Sequence, residues 1–115
     1  MGRVLFLNNN NSHITERTMN KLEEQMVCAI KNGTDFSMGN TLVRHENGMV
    51  SVFLHSNLIA VRNKIGNWLY SDGHYKVRSK TTKSRLNALG LPVFQMHKKW
   101  YVGDKKNYVP FVNDF

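Results

Sequence analysis

Between Thr41 and Arg78 the hydrophobic period of the chain is two, and turn-forming residues cut the alternation at short intervals. The alternating runs cover 41–46, 49–55, 58–62, 67–71 and 74–78. Between them lie Asn47-Gly48, Ser56-Asn57, Asn63-Lys64-Ile65-Gly66 and Asp72-Gly73. A period of two places successive side chains on opposite faces of a strand, and Asn-Gly or Asp-Gly supplies the positive φ of a tight hairpin. Five strands joined by four such turns predict an antiparallel meander. Val50, Val52, Leu54, Ile59, Val61, Trp68, Tyr70, Tyr75 and Val77 are expected to form most of its covered face.

A sheet with one apolar face needs a cover. Upstream, Met19, Leu22, Met26 and Ile30 recur at helical spacing with Ala29 beside them, and Arg17, Asn20, Lys21, Glu23 and Glu24 take the other side. This predicts an amphipathic helix from an N-cap at about Ser12 to a stop at Asn32-Gly33. Residues 3–7 predict a short strand, which the four asparagines at 8–11 end. A second, short helix is expected over about 82–89, opened by Thr81-Thr82, turning Leu86 and Leu89 inward and closed by Gly90 and Pro92. A last hairpin over 93–97 and 100–102 turns at Lys98-Lys99, and the tail 108–115 is apolar enough to dock. The expected fold class is α+β: an N-terminal helix packed on a mainly antiparallel meander, then a short helix and a hairpin. With 115 residues, 41% of them apolar, one domain can bury a core without disulfide or metal. Residues 1–39 read as an N-terminal strand-and-helix addition and 40–115 as a basic, β-rich core. Cys28, the only cysteine, lies near the apolar stripe of the first helix and is expected to be buried and inert.

Charge narrows the function. Through Leu58 five basic residues balance five acidic ones, whereas eleven basic residues after Ile59 face only Asp72, Asp104 and Asp114, so the whole net charge of +8 lies in the second half. Five of these cations fall in the ten positions from Lys76 to Arg85 with no acid among them. Such asymmetry fits a polyanion or an acidic partner. With Lys76 and Arg78 on the solvent face of a strand, and Lys80, Thr81, Thr82, Lys83 and Arg85 at a helix start, charges, hydroxyls and amides are expected to converge into a phosphate-binding ridge. Arg62, Lys64, Lys98 and Lys99 extend it, and Tyr75, Trp100 and Tyr101 offer stacking surfaces for unpaired bases. A ridge of this kind is a binding surface or a solvated face that keeps strand edges apart. On the binding reading, Lys83 and Arg85 are exposed charges whose removal leaves the helix intact.

Catalytic patterns are missing. The five histidines are scattered, no Cys or carboxylate set has metal-ligand spacing, and no glycine-rich phosphate loop occurs, so no metal or cofactor is expected. Asp72-Gly73-His74 pairs an acid with an imidazole, but Asp-Gly is also what a hairpin turn requires. A minimal nuclease using His55 or His74 as base is the only enzyme reading, and a non-enzymatic protein is expected. No apolar run approaches the ~20 residues that span a bilayer, and no membrane partner is expected.

The segments Asn40-Thr41-Leu42-Val43, Val52-Phe53-Leu54-His55-Ser56-Asn57-Leu58-Ile59-Ala60, Thr81-Thr82-Lys83-Ser84-Arg85-Leu86-Asn87-Ala88-Leu89 and Lys99-Trp100-Tyr101 resemble a family of small, functionally uncharacterised proteins of tailed bacteriophages. The resemblance covers about 40–111 and leaves the first 35 or so residues as an addition. It implies residence in the cytoplasm of an infected bacterium. Two functions follow: a protein that holds nucleic acid along the basic ridge, or an inhibitor that blocks a host enzyme or antiviral defence complex by contacting an acidic or nucleic-acid-binding host protein.

Overall fold

The computed structural model describes residues 19–76 and 78–115. Helix α1 (Lys21–Asn32) opens on Asn20, whose side chain accepts from the Glu23 amide at 2.8 Å while the Glu23 carboxylate accepts from the Asn20 amide at 3.4 Å. This reciprocal pair satisfies two amides that a helix start otherwise leaves without partners. The start expected at Ser12, and the strand over 3–7, lie outside the described residues. Gly33 ends the helix in the left-handed conformation, as Asn32-Gly33 suggested. Met19, Met26, Ala29 and Ile30 are buried as the spacing predicts. Cys28, expected to be buried, is exposed: two residues from both Met26 and Ile30, it points to the other side of the helix.

The first sheet is a five-stranded antiparallel meander in chain order, β1 (Phe36–Met38), β2 (Thr41–Glu46), β3 (Met49–Leu54), β4 (Asn57–Arg62) and β5 (Trp68–Tyr70). Its number of strands is the expected one, but their identity is shifted. Phe36–Met38 supplies an edge strand, and the described residues of 74–78 form none. Gly73 and His74 both take positive φ, 83° and 58°, which turns the chain away from the sheet. The Tyr75 ring then folds back so closely that a Cβ on Gly73 would come within 2.6 Å of it, and its hydroxyl donates to the Leu54 carbonyl. Only glycine fits there. A bulge between β3 and β4 pairs Val52 with Ala60 and Phe53 with Leu58, so that Ile59 is extra and both Ile59 and Ala60 are buried. The same shift places Val61 opposite Ser51 on the outer face, against the expectation that it lies inward. Val43, Val50, Val52 and Leu54 complete the inner face, which packs with Met26 and Ile30 of α1 and Leu86 of the second helix.

Helix α2 (Lys80–Ala88) is capped by Ser79, about two residues earlier than the threonines suggested. A second antiparallel sheet follows: β6 (Val93–Met96), β7 (Lys99–Asp104) and β8 (Asn107–Pro110) in that order. The expected hairpin thus gains a third strand from the start of the tail. Beyond it the tail docks, as its apolar composition predicts. Phe111 is buried between Tyr70 and Trp100, with ring centroids 4.9 and 5.4 Å away. Asp114 exchanges hydrogen bonds with the Tyr70 backbone, both at 2.8 Å. The tail therefore lies beside β5, where the strand over 74–78 was expected.

Candidate nucleic-acid interface

The structure divides the expected ridge into cations that hold the fold and cations that face water. Arg85 belongs to the first group. It is 5% exposed, and its guanidinium donates to Glu23 at 2.8 Å, to the Thr41 hydroxyl at 3.0 Å and to the Asn40 side chain at 3.2 Å. Glu23, 1% exposed, also accepts from the Ser84 hydroxyl at 2.5 Å. This network joins α1, α2 and the start of β2, so Arg85 is not a surface contact. Helical spacing carries the reason: Arg85 precedes buried Leu86 and follows buried Thr82 by three positions, on the inner side of a short helix. Nothing in a single sequence pairs it with Glu23, 62 positions away.

Arg78 is also engaged. Its Nε donates to Asp72 at 2.8 Å, and its guanidinium lies 5.3 Å from the Trp100 ring centre and 5.1 Å from that of Phe111. Asp72 accepts from the His74 amide as well. Burial pushes the Asp72 carboxyl upward, but the hydrogen bond from Arg78, the His74 amide and the Arg78 charge together hold it below the usual carboxylate range. Asp35 is lowered by the His45 amide, and Asp104 by the amides of Lys106 and Asn107. A carboxyl depressed in the folded state stabilises above its unfolded pKa, and that stability is lost as pH falls through the folded value. Acid unfolding is therefore expected to begin below about pH 4. Tryptophan fluorescence should follow it, and Asp72→Asn should flatten the acid limb. A chain equally stable at pH 2 and pH 7 contradicts this account.

The helix start offers less to a phosphate than its sequence suggests. Thr82 is buried, its hydroxyl 2.8 Å from that of Ser79 and its amide bonded to the same Ser79 oxygen at 3.0 Å; Thr81 is half-buried. Lys76 and Lys80 are exposed and Lys83 half-buried. Arg62 lies over the Trp68 ring at 5.7 Å. Exposed Lys64 runs along the β2–β3 turn, its Cγ 3.4 Å from where a Cβ on Gly48 would stand. Lys98 and Lys99 belong to the second sheet and are exposed. Of the expected stacking residues, Trp100 is core at 5% exposure, and Tyr75 is tied to Leu54.

Tyr101 has a different setting. The register pairs it with Phe94 and with Pro110, and pairs Tyr108 with Gly103, so Phe94, Tyr101 and Tyr108 share one face of the second sheet. Their ring centroids lie 5.8, 5.0 and 5.5 Å apart, a closed triangle. Gly103 permits it: at φ 128° it lies so close to Asn107 and Tyr108 that a Cβ would strike their backbone. The opposite face carries Val93 and Trp100 into the core. Lys98 and Lys99 stand at one end of β7, Lys105 and Lys106 at the other, all four exposed. Asp104 holds the second turn by accepting from the Lys106 amide at 2.7 Å and the Asn107 amide at 2.8 Å. Phe94, Tyr108, Lys105 and Lys106 were passed over in the sequence. The signal was present as aromatics in three adjacent alternating runs, but it appears only once 107–110 is recognised as a strand.

Among the described residues no group of His, Cys, Asp or Glu is arranged to hold a metal ion, and no helix is long and apolar enough to cross a membrane. His74 occupies a turn with its Nε2 2.7 Å from the Phe115 carbonyl, and His55 another turn at φ 50°. No match was found among curated proteins or among solved structures. A profile of the Kyanoviridae Gp96 protein family matches residues 19–115, which takes in α1 as well as the segments from Asn40 onward. Helix α1, set aside by the resemblance as an addition, is thus within the family match, in keeping with the burial of Glu23 against Arg85. The chain belongs to the Kyanoviridae Gp96 protein family, a family of tailed-phage proteins.

Proposed function

We propose that the protein is a non-enzymatic nucleic-acid-binding protein of the phage, acting in the cytoplasm of the infected host. The observation that supports this most is an imbalance. After Ile59 the chain has eight lysines, none of them in an ion pair among the described residues. The three acids of that half are engaged by Arg78 or by backbone amides. With eleven cations against three acids after Ile59, this half keeps a net charge of +8, and a polyanion is its natural counterpart.

Binding of a labelled oligonucleotide, measured by anisotropy against salt, tests the reading. With about four phosphate contacts, log K should fall against log salt with a slope of about −3. Lys98→Ala with Lys99→Ala should weaken binding and make the slope shallower by about 1.5, whereas Lys31→Ala should change neither. Tight binding indifferent to salt refutes the proposal.

One feature favours contact with a host protein instead. The outer face of the first sheet carries Leu42, Phe53, Leu58, Val61 and Leu69, away from both helices, with Leu69 41% exposed. Capture of a single host protein that survives nuclease digestion, and is lost in Leu69→Lys, would support the inhibitor.

A further inference from the structure

The aromatic triangle on the second sheet has two readings. As a structural element, cross-strand rings stabilise hairpins by packing on one another. That reading accounts for the ring distances, and it is indifferent to what surrounds the rings. The surroundings are specific. The rings face away from the core while their neighbours Val93 and Trp100 face into it. Tyr108 is 40% exposed, and neither the Tyr101 nor the Tyr108 hydroxyl has a hydrogen-bond partner among the described residues. Exposed lysine pairs stand at both ends of β7, separated by about 20 Å of extended chain. Apolar aromatic surface between two cationic ends matches a ligand with flat π-faces and an anionic thread.

We propose that the face formed by Phe94, Tyr101 and Tyr108 takes the bases of an unpaired nucleic-acid strand, while Lys98, Lys99, Lys105 and Lys106 take its phosphates. This rests on the nucleic-acid reading above and narrows it to single strands. In a duplex the base faces are stacked on one another and closed to side chains, so only the lysines reach it. In an unpaired strand both parts of the surface are used. Stacking on aromatic side chains tolerates any base, so sequence preference is weak. The unpartnered tyrosine hydroxyls supply donors for phosphate or base edges.

The test uses the full chain, a labelled mixed-sequence single-stranded 20-mer, and its duplex at the same salt. The single strand should bind at least tenfold more tightly than the duplex. Tyr101→Leu and Tyr108→Leu, which keep apolar bulk in the sheet, should each weaken single-strand binding by about tenfold and leave duplex binding unchanged. Tyr101→Phe should retain the affinity. Circular dichroism and thermal unfolding check each variant. Because a leucine variant could fail to fold, photocrosslinking of a bromouridine-substituted strand to the unaltered protein gives a second measurement, with adducts expected on Phe94, Tyr101 or Tyr108. Equal affinity for strand and duplex, or adducts confined to other residues, overturns the single-strand inference. If the Lys98 and Lys99 changes still weaken binding in that case, the broader nucleic-acid reading stands. If neither oligonucleotide binds, both fall.

Discussion

Arg85→Ala is expected to remove a large part of the stability of this protein. The guanidinium is buried against Glu23, and truncating it leaves a carboxylate at 1% exposure without its counterion. Breaking a buried pair from one side costs about 3–5 kcal/mol. A domain of this size is stable by only about 5–15 kcal/mol, so urea unfolding should show a midpoint displaced far toward zero. Lys80→Ala, on the first turn of the same helix but exposed, should shift stability by no more than about 0.5 kcal/mol. Replacing both partners, Glu23→Leu with Arg85→Met, should recover much of the loss, because no charge is then left buried. A fully stable Arg85→Ala protein would show that the pair contributes nothing. It follows that the joint Lys83 and Arg85 substitution, which looks in the sequence like removal of two surface charges, does not isolate binding from folding.

Phe111→Ala is the second large effect. Phe111 is 5% exposed, sits between Tyr70 of the first sheet and Trp100 of the second, and forms one wall of the Arg78 site. Removing a buried phenylalanine costs about 3–5 kcal/mol. Here the loss should extend beyond a cavity, since the Phe111 amide also bonds to the Trp100 carbonyl, and Asn113 and Asp114 bond to the backbone of Asp72 and Tyr70. Thermal unfolding should show a large drop in midpoint, with Trp100 emission shifted to the red. Val112→Ala, next to it and 65% exposed, should change little. If Phe111→Ala melts with the parent, the tail is an ornament and the two sheets are joined by other means.

The elements that local chemistry determines were legible in the sequence. Alternation and turn pairs mark β2, β3 and β4 within a residue or two, and the Met26–Ile30 stripe with Asn32-Gly33 marks the second half of α1. What the sequence hides is long-range. Alternation over 74–78 reads as a strand because Tyr75 and Val77 have the right spacing, but two consecutive positive φ values take the chain off the sheet. A tail from more than forty positions away takes the vacant edge. The expected ridge divides along the same line. Charge density along 76–85 was visible, yet burial decides which cations are available. Arg85 turns inward to Glu23, and Arg78, though exposed, is tied to Asp72, pairings that no local pattern carries. Tyr101 is close in sequence to Lys98 and Lys99, while its aromatic neighbours needed the register of a third strand.

The distance in sequence between Glu23 and Arg85 also bears on how fast the protein comes apart. Meander strands pair with neighbours a few residues away and close their loops cheaply, so they can assemble early. The Glu23–Arg85 contact spans 62 positions and requires both helices to be in place, so it is expected to form after the rate-limiting step of folding. An interaction absent from the transition state slows unfolding and leaves refolding almost untouched. The buried pair is therefore expected to lengthen the lifetime of the folded chain, and in the Arg85→Ala protein the unfolding arm of a chevron plot should rise while the refolding arm stays where it was.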